Sequence, residues 1–105
     1  EDQVWLRKNI EQIKTTRARL IKELVQWGWK VIPSSANFIL AQPKSKSQDF
    51  SSATAESAFN FLKERKILVR RFPHHPLTEK SLRITVGTDA EMEGFLKAAR
   101  LWTEG

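Results

Sequence analysis

The residues best placed to do chemistry are two arginines. Arg83 stands in the middle of the run Leu82-Arg83-Ile84-Thr85-Val86. Alternation along a strand puts Leu82, Ile84 and Val86 on one face and Arg83 and Thr85 on the other. An arginine centred in a short strand is costly unless something anionic meets it. Arg70 lies 13 residues earlier, near the end of Ile67-Leu68-Val69-Arg70-Arg71-Phe72. Two guanidinium groups converging at one sheet edge would form a bidentate clamp for a carboxylate or a phosphate. The plainer alternative is that Arg83 pairs with a local Asp or Glu, or reaches out to solvent.

Other chemistries find less support. Cysteine is absent, which removes disulfides and thiolate metal ligands. The four glycines, at 28, 87, 94 and 105, are too scattered to cradle a phosphate. His74 and His75 adjoin in a proline-flanked segment without a third ligand at metal spacing, and read as a solvated loop pair. No serine sits in a nucleophile elbow, and Glu91 and Glu93 fall on an exposed helical turn. The expectation is a chain with no catalytic residue, metal site or cofactor site of its own.

The elements that must position the arginines follow from periodicity. Leu6, Ile10, Ile13, Leu20, Leu24 and Trp27 mark an amphipathic helix from Asp2 to Trp27, with Arg17 filling the gap and Gly28 as its stop. At ~1.5 Å per residue it would be roughly 39 Å long, more than so small a domain covers, so its first half needs a partner. Val31-Ile32 is a short extended piece. Asn37-Phe38-Ile39-Leu40-Ala41 is nearly continuously apolar, as in a strand buried on both faces. The serine- and lysine-rich stretch from Pro43 to Ser52 reads as a mobile loop. Ala55, Ala58, Phe59 and Leu62 give a second helix. Strands follow at Ile67–Phe72 and Leu82–Val86. Thr88 and Glu91 form a T-x-x-E capping box for a last helix, whose apolar face is Met92, Phe95, Leu96 and Ala99. The order α-β-β-α-β-β-α specifies an α/β, two-layer sandwich with a sheet of three or four strands and helices on one face.

Size and charge bound the rest. A chain of 105 residues is one domain, and 40% hydrophobic with 29% charged residues is ordinary for a globular one. The net charge of +6, from 18 basic and 12 acidic residues, allows contact with phosphate groups, nucleic acid or an acidic surface. No apolar run approaches a membrane span, and Glu1-Asp2-Gln3 lacks a signal-peptide pattern. The only methionine is Met92 and the chain opens inside a helical pattern, which suggests a piece of something longer.

Three segments carry a family resemblance. Pro33-Ser34-Ser35-Ala36-Asn37-Phe38, Ile67-Leu68-Val69-Arg70-Arg71-Phe72 and Leu82-Arg83-Ile84-Thr85-Val86-Gly87-Thr88 occur in order at suitable spacing. Together they resemble the C-terminal third of the histidinol-phosphate aminotransferases, and the likeness covers essentially the whole chain. It implies a fold-type-I enzyme in which residues 1–105 form the small C-terminal domain. Residues 1–28 would be the long helix that enters from the large domain of the same chain. The whole enzyme would be a cytoplasmic homodimer using pyridoxal phosphate, bound by that large domain. It would exchange an amino group between glutamate and 2-oxoglutarate on one side and a phosphorylated amine on the other, in histidine biosynthesis.

The arginine of L-R-I-T contacts the anionic end of the substrate in this family, which maps onto Arg83. The arginine of V-R-x-F has a similar part, which maps onto Arg70. Arg71 falls at the variable position and inherits no role. Asn37 lies in a motif and is read as a structural positioning residue, with a substrate-proximal place as the lesser alternative. The family's Schiff-base lysine has no counterpart in the sequence, so these residues alone would not transaminate. Lys66 stands where the family has glycine, and a left-handed turn there would cost lysine about 1 kcal/mol.

Two other readings remain. Threonine-phosphate decarboxylase shares the motifs and also binds a phosphorylated amine. A small basic RNA-binding module fits the charge, but it needs base-stacking aromatics on the strand that offers Arg83 and Thr85 instead. Trp5, Trp27, Trp29 and Trp102 fall on or beside helices, where they would serve packing. No nucleic acid and no membrane is therefore expected as a partner. An exposed apolar stripe near Val4, Leu6, Ile10 and Ile13 would mark where the large domain sits.

Overall fold

Helix α1 (Asp2–Gln26), strands β1 (Lys30–Pro33) and β2 (Phe38–Gln42), helix α2 (Ser52–Glu64), strands β3 (Arg70–Arg71) and β4 (Leu82–Thr85), and helix α3 (Asp89–Glu104) follow one another in a computed structural model of the chain. The structure describes residues 2–33 and 37–105, with side chains from Glu11 onward, Pro33 apart. Val4, Trp5, Leu6 and Ile10 as side chains, and Ser34 to Ala36 of the first motif, lie outside the described residues.

The element order is the one periodicity specifies, and the α/β reading holds. The sheet is antiparallel throughout, in the order β1-β2-β4-β3. Ile39 and Ala41 of β2 and Leu82 and Ile84 of β4 share a buried face. Leu20 and Leu24 of α1, Ala58 and Leu62 of α2, and Phe95, Leu96 and Ala99 of α3 join them in one core. All three helices thus cover the same side of the sheet.

Helix ends are set by backbone chemistry. Gly28 takes φ 93°, with Trp29 N–H donating to the Leu24 carbonyl at 3.1 Å and Gly28 N–H to Val25 at 3.0 Å. That bond pair is the Schellman stop, which wants a residue without a Cβ penalty in the left-handed position. Helix α2 stops by the same pattern, with Ile67 N–H to Leu62 and Lys66 N–H to Lys63, both at 2.9 Å. Here the left-handed residue is Lys66, at φ 62°, so the strain expected of a lysine in a glycine position is present. Helix α3 opens on the anticipated capping box. Thr88 Oγ1 accepts from Glu91 N–H at 3.2 Å, and Glu91 Oε1 accepts from Thr88 N–H at 3.1 Å.

Three expectations are corrected. Strand β2 alternates between half-buried and buried residues, so it is covered on one face only. Its apolar sequence misleads because Phe38 and Leu40 lie on the face the helices leave open. The strand expected over Ile67–Phe72 pairs only through Arg70 and Arg71, since the α2 stop and an 85% exposed Leu68 keep the earlier residues off the ladder. The loop after β2 is tied rather than loose. Pro43 and Ser45 are buried, Lys46 N–H donates to the Thr103 carbonyl at 3.1 Å, and Ser45 Oγ accepts from Gln48 N–H at 3.0 Å.

Two tryptophans pack as expected. Trp29 and Trp102 are buried and meet edge to face at 5.8 Å, and Trp29 Nε1 donates to Thr103 Oγ1 at 2.9 Å. Helix α1 is pinned to α3 by polar contacts. Asp89 accepts hydrogen bonds from Thr16 Oγ1 and Gln12 Nε2, and Arg19 pairs with Glu93.

Candidate anion-binding face

Directly opposed residues in an antiparallel pair point to the same side. The register therefore sets Ile32, Leu40, Arg83 and Arg70 in one row across the face without helices, with Phe38 and Thr85 in the row beside it. Arg70 and Arg83 are direct cross-strand partners. The register thus places the two arginines side by side across β3 and β4.

Like charges placed directly opposite one another disfavour pairing unless an anion intervenes. Among the described residues neither arginine forms an ion pair. Arg83 instead lies over aromatic rings, its Cζ 4.9 Å from the centroid of Phe38 and 6.0 Å from that of Phe72. Its Nε is buried without a hydrogen-bond partner. The alternative in which a local carboxylate takes up Arg83 is thereby excluded among the described residues. A guanidinium lying over rings gains cation–π attraction while its terminal nitrogens can still donate to an oxyanion. Arg70 is exposed and lines a cleft of about 440 Å³ beside β3, together with Glu56, Phe59, Val69 and Phe72.

Asn37 is exposed and precedes β2. Its carbonyl accepts from Val86 N–H at 2.7 Å, which extends the β2–β4 ladder past Thr85.

Arg71, which inherits no role from the resemblance, is a well-bonded residue of β3. It lies opposite Leu82 on the helix-covered side, where its Nη2 donates to the Ser52 carbonyl at 2.8 Å, to Ser52 Oγ at 2.7 Å and to the Glu79 carbonyl at 3.4 Å. The available signal was strand alternation, which sends adjacent arginines to opposite faces. Phe38 and Phe72 were likewise legible only as motif members.

His74 and His75 sit exposed in the loop between β3 and β4, and His75 Nδ1 accepts from Leu77 N–H at 3.3 Å. Among the described residues no cluster of three metal-ligating side chains occurs, and no helix is long and apolar enough to cross a membrane. Every described lysine is exposed, so none is set in a buried position to hold a cofactor aldehyde.

Comparison with known proteins gives the family. The family model for aminotransferase class I and II matches residues 1–98. A histidinol-phosphate aminotransferase of Burkholderia mallei is 39% identical over 100 residues, covering 95% of this chain and 26% of that protein. The histidinol-phosphate aminotransferase of Microcystis aeruginosa is 42% identical over 97 residues, covering 92% and 24%. A solved aminotransferase structure from Burkholderia pseudomallei superposes with a TM-score of 0.64 at 26% identity, covering 88% of this chain and 26% of that one. The chain spans about a quarter of the length of the curated relatives it matches.

Proposed function

Because the chain belongs to the aminotransferase class I and II family, we propose that it is the small C-terminal domain of a histidinol-phosphate aminotransferase, with Arg83 and Arg70 gripping the substrate's anionic end. Residues 1–28 are then the helix arriving from a large domain of the same chain. The observation that carries this reading is the cross-strand pairing of Arg70 with Arg83, the latter lying over Phe38.

Two planar, permanently charged forks a strand apart suit a phosphate better than a lysine pair would, since each presents parallel donors to two oxygens. Holding the phosphate at one end fixes where the amine at the other end lies, which is how a remote grip assists a reaction at a distant centre. The apolar neighbours Leu40 and Phe38 thin the water around the arginines and strengthen that grip.

Family membership implies pyridoxal phosphate in the whole enzyme, where it supplies an electrophilic aldehyde and an electron sink. The described residues of this chain do not fit that group, having no buried lysine. The contribution of these residues is substrate binding and orientation, and the residues that bind the cofactor belong to the large domain. The same reading makes glutamate and 2-oxoglutarate the second substrate pair and the whole enzyme a cytoplasmic homodimer. The names of the matched relatives favour histidinol phosphate over threonine phosphate as the amine.

The test uses the full-length protein loaded with pyridoxal phosphate. Histidinol phosphate should convert the cofactor absorbance to that of the pyridoxamine form, threonine phosphate should not, and Arg83→Ala should require far more substrate. Silence towards histidinol phosphate would refute the substrate, and an unaffected Arg83→Ala would refute the binding face.

A further inference from the structure

Arg71 makes more hydrogen bonds than either arginine of the proposed grip. Through one nitrogen it reaches three acceptors on two segments. Ser52 is the first residue of α2, and Glu79 lies in the loop that leads into β4. The strand that carries Arg70 is otherwise weakly held. It has two residues, lies at the outer edge of the sheet, and follows the strained turn at Lys66. Short edge pairings of this kind open readily by themselves. Because consecutive strand residues point to opposite faces, fixing Arg71 on the covered side fixes Arg70 on the open one.

We propose that Arg71 is a positioning residue: by tying β3 to the start of α2 and to the loop before β4, it holds Arg70 opposite Arg83. This rests on the anion-binding reading of Arg70 and Arg83. Arg71 does not touch the substrate. Its partners are neutral oxygens, and it forms no ion pair among the described residues.

The experiment measures inorganic phosphate affinity, KM for histidinol phosphate, kcat and the thermal midpoint in the full-length holoenzyme. The variants are Arg71→Ala, Arg71→Lys and Arg83→Ala. Arg71→Ala should weaken phosphate binding and raise KM about tenfold, as expected for a misplaced contact, with kcat at saturation changed less than about twofold. Arg71→Lys should recover part of the loss. If Arg71→Ala does not fold, Arg71→Lys decides alone, with about threefold weaker phosphate binding as support. A lowered thermal midpoint with unchanged phosphate affinity and KM makes Arg71 merely structural and overturns the proposal. An Arg83→Ala protein that binds phosphate normally removes the anion site itself, and this inference with it. Loss in Arg83→Ala alone, with both Arg71 variants normal, sinks the positioning role and leaves the grip standing.

Discussion

Arg83 is held by surfaces rather than by a counter-ion. Its guanidinium lies over Phe38, with Phe72 further off, and its Nε has no acceptor. Arg83→Lys should therefore behave as a loss of function: a point-like ammonium neither stacks in that plane nor offers paired donors. We expect phosphate affinity to fall at least about tenfold, corresponding to about 1.4 kcal/mol, in a titration of the full-length protein. Lys66 tests the opposite sign. It holds φ 62° in a helix stop that glycine fits, so Lys66→Gly should stabilise by about 1 kcal/mol and raise the thermal midpoint by a few degrees. An unchanged or lower midpoint would show that the turn is not strained. Both positions were legible beforehand, Arg83 from alternation and Lys66 from the family resemblance, which has glycine at that place. Arg71 was not. Its acceptors lie 19 and 8 residues away, and no local pattern announces a bond to another segment's carbonyl.

At the scale of elements, legibility followed how local the cause was. The capping box of α3 and the Gly28 stop are decided within four or five residues, and both form as their residue types require. The β3 ladder depends on where β4 happens to lie, and its length could not be read from an apolar run. Similarly, β2 looked doubly buried because nothing in its own residues tells that one face lacks helices. Helix α3 also carries an acid-sensitive contact. Hydrogen bonds from Thr16 first, and Gln12 second, hold the Asp89 carboxyl below its ordinary pKa, and the Thr88 backbone N–H does the same for Glu91. A carboxylate with a depressed folded-state pKa contributes stability at neutral pH that is lost as the pH falls through that lower value. The α1–α3 junction should accordingly weaken below about pH 4, the ordinary carboxylate range. Asp89→Asn should flatten the acid side of the thermal midpoint against pH, and an unchanged acid slope would count against these bonds. Thr88→Ala should lower stability by about 1 kcal/mol in denaturant titrations, through lost capping alone.

The whole molecule has a helix-covered face and an open one, and the open one gathers Ile32, Phe38, Leu40, Thr85 and the two arginines of the proposed grip. With a net charge of +6 the chain draws anions from a distance, and a partly exposed grip is screened by salt. Phosphate affinity should fall severalfold between about 0.05 and 0.5 M salt, and a flat response would mean the anion binds elsewhere, in an enclosed site. Such a layout was inferable as a class from the element order, whereas which residues share a row needed the register. The sheet order has one more consequence. Its two outer strands are β1, which runs from Lys30 to Pro33, and β3, which is two arginines long. Exposed strand edges are templates on which other chains can add and grow into fibrils, and charge, proline and brevity are what block that growth. Brevity and charge at β3, and proline at the end of β1, are the features of these two edges that discourage such growth.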